Sequence, residues 1–178
     1  MDPVVDLTLR GGLALLFLVA ASHKWRDPAR FRATLIDYRI LPEATAGPVA
    51  VLLVGAELAV AVALLTPAWR TLGLVGACGL LVLYGFAIAV NLGRGRRHLD
   101  CGCVGPALRR PISVQLVVRN AVLAAGALLA LGPVATRPLV WVDALTLAAA
   151  LASSSALYAA VDRMLAEAPL RARLGSLS

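Results

Sequence analysis

The stretch LGLVGACGLLVLYGFAIAVNL, residues 72–92, contains no charged side chain and consists almost entirely of apolar residues and glycine. A helix needs about 20 such residues to cross the hydrocarbon core of a bilayer. In that core the backbone must satisfy its own hydrogen bonds, which a helix does without help from another segment. Residues 72–92 are therefore predicted to form a transmembrane helix.

Four further stretches have a similar length and composition. The five predicted spans are residues 4–22, 47–65, 72–92, 112–131 and 139–161. None of them shows the alternation of apolar and polar residues that is typical of a transmembrane β-strand. Of all residues 60% are hydrophobic and 15% are charged, whereas a soluble domain is about half apolar and a quarter charged. We predict an all-α, polytopic membrane helix bundle whose surroundings are the lipid bilayer.

Residues 1–161 are predicted to form a single transmembrane domain, because the connections between the spans are too short to bury a separate core. Residues 162–178 are predicted to form a cytoplasmic tail. In the first connection, Asp27-Pro28 is typical of the start of a helix, and Phe31, Leu35 and Tyr38 follow at helical spacing. This short amphipathic helix either lies in the headgroup layer or packs on the end of the bundle.

The net charge of +7 does not indicate a nucleic-acid partner, because the basic residues lie at the ends of the predicted spans. The four connections and the tail contain five, one, five, one and three Lys or Arg residues in turn. By the positive-inside rule, this alternation predicts that the N-terminus lies outside the cell inner (plasma) membrane. The C-terminus and the third connection are then cytoplasmic.

The third connection contains Cys101-Gly102-Cys103 in a glycine-rich turn. Two thiols one residue apart can close a strained ring, and a strained disulfide is labile and exchanges readily. Basic side chains surround the pair, namely Arg94, Arg96, Arg97, His98, Arg109 and Arg110. They favour the reactive thiolate, whereas Asp100 opposes it. Thiol redox chemistry, soft-metal capture and two small residues in a turn all remain open.

Polar residues inside the spans suggest a second site. Glu57 lies near the middle of the second span, where a charge must face the bundle interior or be protonated. Arg119 can reach the cytoplasmic interface or pair with Glu57. The predicted pocket, which faces the cytoplasmic half of the membrane, consists of Glu57, Arg119, Asn120, His23, Lys24 and Tyr84.

Three other side chains are given structural roles, and no metal ligands are assigned. Cys78, inside the third span, is predicted to be a small packing residue that does not pair with the loop thiols. Arg10 and Asp143, near the outer ends of their spans, are predicted to be interfacial anchors.

Several of these motifs together carry a resemblance to a known family. They are Ser22-His23-Lys24, Asp27-Pro28, Phe31, Tyr38, Leu41-Pro42, Glu57, Asp100-Cys101-Gly102-Cys103-Val104-Gly105 and Arg119-Asn120. The chain resembles the MauE family of methylamine utilisation proteins, within the DoxX-like membrane proteins, over roughly residues 7–131. The resemblance implies a bundle of four or five spans and a role in thiol redox. It also implies a thioredoxin-like partner and the maturation of an exported, disulfide-rich protein.

The leading functional hypothesis is a membrane thiol–disulfide oxidoreductase, in which Cys101 and Cys103 cycle between dithiol and disulfide. One cysteine pair on one face cannot carry electrons to the other face, so a quinone in the Glu57–Arg119 pocket or a moving loop is required. The alternatives are a non-enzymatic subunit or scaffold of a membrane redox complex, and soft-metal binding through the two thiolates.

Overall fold

The described part of the chain consists of helices joined by short connections. The structure, a computed structural model, describes residues 1–96, 99 and 111–175. The α-helices are α1 (Pro3–Arg26), α2 (Pro28–Tyr38), α3 (Ala46–Leu65), α4 (Arg70–Gly93), α5 (Val114–Leu129) and α6 (Trp141–Gly175). Short 3₁₀ turns at Glu43–Thr45 and Pro67–Trp69 precede α3 and α4. The described residues include no β-strand, and the predicted all-α fold class is confirmed.

Four helical segments of the described chain are long and apolar enough to cross a membrane. They are Pro3–Arg26, Glu43–Leu65, Pro67–Gly93 and Trp141–Val161, and each contains most of a predicted span. Large apolar side chains on their outer faces are exposed, among them Val51, Leu52, Leu72 and Phe86. Helices that are apolar on all faces are typical of a membrane bundle. The chain is therefore a multi-pass membrane protein.

The fourth predicted span, residues 112–131, contains a shorter helix, α5, which has only 16 residues. At 1.5 Å per residue it is about 24 Å long, whereas the hydrocarbon core is about 30 Å thick. The helix begins only at Val114, because the N–H of Ile112 instead donates to the carbonyl of Leu99 at 2.9 Å.

Helices α4 and α5 are antiparallel, and their ends mark the two ends of the bundle, which we call the Met1 end and the Arg94 end. At the Met1 end, the guanidinium of Arg70 donates to the carbonyl oxygens of Ala130 and Gly132. At the Arg94 end, the side chain of Arg94 donates to the carbonyl of Arg39 at 3.1 Å. Helices α1 and α4 run from the Met1 end to the Arg94 end, and α3 and α5 run back.

The close approach of α3 and α4 depends on Gly73. A Cβ atom at this position would lie 2.6 Å from the backbone nitrogen of Leu64. Any larger residue would therefore push the two helices apart. Leu64, Leu74 and Ala77 are completely buried next to this contact. Small residues at helix crossings are typical of membrane bundles, because packing drives their association.

Helix α2 packs on the Arg94 end of the bundle. Asp27 caps it, its Oδ1 accepting a hydrogen bond from the N–H of Arg30 at 3.0 Å. Phe31 packs with Ala21 and Ala50, and Tyr38 is buried in a second apolar cluster farther along the same end. The apolar stripe of the predicted amphipathic helix therefore faces protein, which supports the second of the two interpretations.

A buried ion cluster lies at the Met1 end. Arg10 is only 5% exposed, its Nε donates to the carbonyl of Leu64 at 2.7 Å, and its NH1 contacts Asp6 Oδ2 at 3.2 Å. Asp6 Oδ1 accepts from Arg70 Nε at 3.0 Å. The cluster therefore joins α1, α3 and α4 in the interior. Because Arg10 is buried there, the prediction that it is an interfacial anchor is wrong.

Helix α6 lies at the edge of the bundle, against α1. Leu151 covers Gly11, where an added Cβ would come within 3.1 Å of the leucine side chain. At the Met1 end, Asp143 forms an ion pair with Arg137 at 2.7 Å. Its position in the first turn of α6 agrees with the predicted anchor role. The helix does not end with the predicted span at residue 161 but continues to Gly175.

Candidate functional site

Three polar side chains from three helices meet in the interior, toward the Arg94 end. Lys24 comes from the last turn of α1, Glu57 from the middle of α3 and Tyr84 from the middle of α4. The Lys24 ammonium donates to Glu57 Oε1, and the Tyr84 hydroxyl donates to the same oxygen at 2.8 Å. Glu57 is 0% and Lys24 3% exposed. The charged partner of Glu57 is thus Lys24.

Aromatic rings complete the surroundings of the Lys24 ammonium. Its nitrogen lies 4.6 Å from the ring centroid of Tyr84 and 5.0 Å from that of Phe31. A cation over an aromatic face is stabilised by the negative charge density of the ring, by about 0.5–2 kcal/mol. The carboxylate and the two rings therefore replace part of the hydration that Lys24 loses on burial.

The second carboxylate oxygen of Glu57, Oε2, is buried as well. Among the residues that the structure describes, no donor forms a hydrogen bond with it. A buried polar atom without a partner costs about 1–3 kcal/mol, more when it belongs to a charged group. Glu57 also lines a cavity. Oε2 is therefore an unsatisfied acceptor on a residue that borders open space.

The cavity has a volume of about 560 Å³ and lies between α1, α5 and α6. Its walls are mostly apolar and include Leu13, Leu16, Phe17 and Leu123. Its polar lining is concentrated toward the Arg94 end, where it includes His23, Glu57, Tyr84, Arg119 and Asn120. The cavity is therefore an apolar space with one polar end, inside the part of the bundle that crosses the membrane.

The structure brings together all six residues of the sequence-predicted pocket. Five line the cavity, and Lys24 lies directly behind them, bound to Glu57. Asn120 is buried and donates from Nδ2 to the carbonyl of Leu116 at 2.8 Å. The guanidinium carbon of Arg119 lies 5.8 Å from the ring centroid of Tyr158, so this contact links α5 to α6.

Sequence reasoning missed the contribution of α6 to this site. Ser154, Ser155 and Tyr158 line the cavity opposite α1 and α5. The run of three serines at residues 153–155, inside a long apolar segment, was the available signal. Hydroxyl groups on a membrane-spanning helix usually face protein or a polar cavity, because lipid provides no hydrogen-bond partner.

Cys101 and Cys103, the predicted redox pair, lie outside the described residues, but the base of their loop does not. The N–H of Ile112 donates to the carbonyl of Leu99 at 2.9 Å, so the two ends of the loop meet. Leu99 and Ile112 are buried in an apolar cluster with Ile88 and Leu116, which we call the loop base.

The loop base lies next to the polar end of the cavity. Ile88 follows Tyr84 by four residues on α4, and Leu116 precedes Asn120 by four residues on α5. Four residues correspond to about 6 Å along a helix axis. The chain that carries the cysteines therefore leaves the bundle about one helical turn from the Glu57 cluster.

The third cysteine, Cys78, which was predicted to be a packing residue, lies elsewhere. It is half-buried on α4 and packs against the main apolar cluster, in line with a packing role. Within residues 1–96, 99 and 111–175, no group of three His, Cys, Asp or Glu side chains is arranged to hold a metal ion.

The sequence matches one family model and several characterised relatives. The model, described as methylamine utilisation protein MauE, matches residues 2–133. A MauE from Methylophilus methylotrophus is 38% identical over 169 residues, covering 92% of this chain and 87% of the relative. A MauE from Paracoccus denitrificans is 41% identical over 128 residues, covering 72% and 69%.

No solved structure matches this chain. The family model nevertheless covers α1 to α5 and includes both the Glu57 cluster and the Cys-Gly-Cys loop. The identity to the two relatives extends over most of their own length as well as over most of this chain. The chain therefore belongs to the MauE family.

Proposed function

We propose that this chain is an integral membrane thiol–disulfide redox protein that acts through Cys101 and Cys103. The observation that carries the proposal is the position of the loop base, which lies within about one helical turn of a buried polar cluster. The proposed exchange requires that a soluble partner can reach the two thiols at the membrane surface.

The proposed chemistry is a two-step exchange. The thiolate of one cysteine attacks a disulfide of the partner, forms a mixed disulfide and releases one partner thiolate. The other cysteine then attacks the mixed disulfide, which closes the Cys101–Cys103 bond and releases the partner as a dithiol. In the reverse direction, the same steps oxidise the partner.

Cations at the C-terminal end of α4 support this chemistry. Arg96 donates from NH1 to Oδ1 of the buried Asn91 at 3.2 Å, and Arg94 donates to the carbonyl of Arg39. Both contacts hold guanidinium groups at the end of α4, where the cysteine loop begins. Positive charge near a thiol favours its thiolate form, which is the nucleophile.

We further propose that the partner is a thioredoxin-like protein and that the exchange supports maturation of exported proteins. The relatives are named methylamine utilization proteins, and we propose the same process for this chain. The positive-inside pattern supports a cytoplasmic cysteine loop on a bundle in the inner membrane. Labelling of Cys101 from each side of the membrane tests this placement, and labelling from the outer side alone would contradict it.

Trapping the mixed disulfide tests the function. The Cys103→Ser variant retains one loop thiol and cannot complete the exchange, so we expect it to accumulate a disulfide-linked, thioredoxin-like protein in native membranes. Adding Cys78→Ser to this variant should leave the complex unchanged. The Cys101→Ser/Cys103→Ser double variant should form none, and a complex that persists there would contradict the proposal.

A further inference from the structure

We infer that the cavity between α1, α5 and α6 is a quinone site that opens to the lipid, with the quinone ring at the Glu57 end. The inference rests on the proposed thiol chemistry for its purpose, but its evidence is the cavity itself. A quinone is a two-electron, two-proton acceptor that dissolves in the bilayer. It therefore reaches this site without crossing water.

The walls of the cavity match the apolar body of such a molecule. Val19 on α1 and Val122 on α5 line it, and they are 47% and 64% exposed, so the cavity reaches the outer surface of the bundle. In a membrane that surface faces acyl chains. An apolar ligand can thus enter sideways from the lipid, with its tail remaining among the acyl chains.

The polar end matches the two oxygens of a quinone. Glu57 Oε2 is a buried acceptor without a donor among the described residues, and a quinol hydroxyl is such a donor. Arg119 lines the same end, and a quinone oxygen can accept hydrogen bonds from the N–H groups of its guanidinium. A lipid phosphate group fits less well at Oε2, because its oxygens only accept hydrogen bonds and its negative charge is repelled by the carboxylate.

The reaction with the proposed thiol pair is balanced. Two S–H bonds of Cys101 and Cys103 break, one S–S bond forms, and two electrons and two protons convert the quinone to a quinol. Glu57, held by Lys24 and Tyr84, is placed to take up or return a proton at the ring oxygen. The thiol pair thereby returns to its disulfide form without a second soluble partner.

Two glycines provide a way to fill the cavity without disturbing the bundle. Gly12 on α1 and Gly126 on α5 line it, and a Cβ atom added at either position meets nothing within 4 Å. A leucine at either site therefore extends into open space. Gly79 on α4 is equally open but does not line the cavity, so Gly79→Leu is a matched control.

Binding to the purified full chain in lipid nanodiscs tests the inference. The probes are ubiquinone-1 and its quinol, and the dissociation constant of each is measured by equilibrium binding. We expect Gly12→Leu and Gly126→Leu to weaken binding at least tenfold and Gly79→Leu to leave it unchanged. We expect Glu57→Gln to weaken binding of the quinol more than that of the quinone, and circular dichroism shows whether each variant is folded.

Three results would overturn the inference: no saturable binding, equal weakening by Gly79→Leu, or competitive displacement of the quinone by phosphatidylglycerol. The Cys101→Ser/Cys103→Ser variant separates it from the proposed function, since the cavity should still bind the probe. Retained binding together with failure to trap any partner would reject the thiol exchange alone. Trapping without binding would reject the quinone site alone.

Discussion

Replacing Lys24 by methionine should destabilise the bundle strongly, because the Glu57 carboxylate would remain buried without its cation. Both side chains are almost fully buried, at 2% and 0% exposure, so water cannot replace the missing charge. Removal of one partner from a buried ion pair costs about 3–5 kcal/mol. For a chain of this length each kcal/mol lowers the melting temperature by about 2–4 °C. The expected decrease is therefore roughly 6–20 °C.

A double-mutant cycle isolates the pair from other effects of the substitutions. In Lys24→Met/Glu57→Gln both charges are gone, and replacement of a whole buried pair is often neutral or stabilising. We therefore expect the double variant to melt within a few degrees of the unaltered chain. Arg26→Met, which removes an exposed cation from the same helix, is the control and should change stability by no more than about 0.5 kcal/mol.

Thermal unfolding in detergent, followed by circular dichroism, measures each corner of the cycle. A decrease of less than 2 °C for Lys24→Met, or a double variant as unstable as this single variant, would refute the reasoning. Either result would mean that loss of Lys24 does not destabilise the bundle by leaving a buried charge unpaired.

Three further changes test other parts of the structure by the same melting assay. Gly73→Ala should lower the melting temperature because its Cβ would clash with the backbone of α3, whereas Gly79→Ala should not; equal effects would contradict the close helix approach. Asp27→Ala removes the cap of α2 and should cost about 0.5–2 kcal/mol, and an unchanged melting curve would show that the cap contributes nothing. Hydrogen bonds from Arg137 and from a backbone N–H lower the pKa of Asp2, so its contribution is present above the ordinary pKa and lost as the pH falls through the lowered one. Below pH 4, the unaltered chain should therefore lose more stability than Arg137→Gln, which lacks the ion pairs with both Asp2 and Asp143; parallel pH profiles for the two proteins would contradict this.

The membrane fold could be predicted from sequence because it depends on segment length and composition alone. Four predicted spans coincide with long apolar helices, and Asp27-Pro28 indicated the start of α2. The identity of the Glu57 partner could not be predicted. Helix α3 is apolar on every face, so no periodicity shows which side faces α1, and Lys24 lies beyond the predicted end of its span at residue 22.

The cysteine loop, too, could be predicted from the sequence only in part. Spacing and charge predicted a reactive pair at Cys101 and Cys103, and this stays a prediction because both lie outside the described residues. The loop base could not be anticipated, since it depends on Ile112 pairing with Leu99 instead of extending α5. The contribution of α6 to the cavity likewise depends on how it leans on α1, through Leu151 over Gly11.

Two buried carboxylates in this bundle have different surroundings, and the difference bears on the inferred ligand site. At the Met1 end, both oxygens of Asp6 accept hydrogen bonds, from Arg10 and Arg70, and Asp6 does not line the cavity. Toward the Arg94 end, Oε1 of Glu57 accepts two hydrogen bonds while Oε2 accepts none among the described residues, although Glu57 borders the cavity. A carboxylate whose only task is to join helices gains by having both oxygens bound, as Asp6 has. The open position on Glu57 is therefore the one that the inferred ligand of the cavity would occupy.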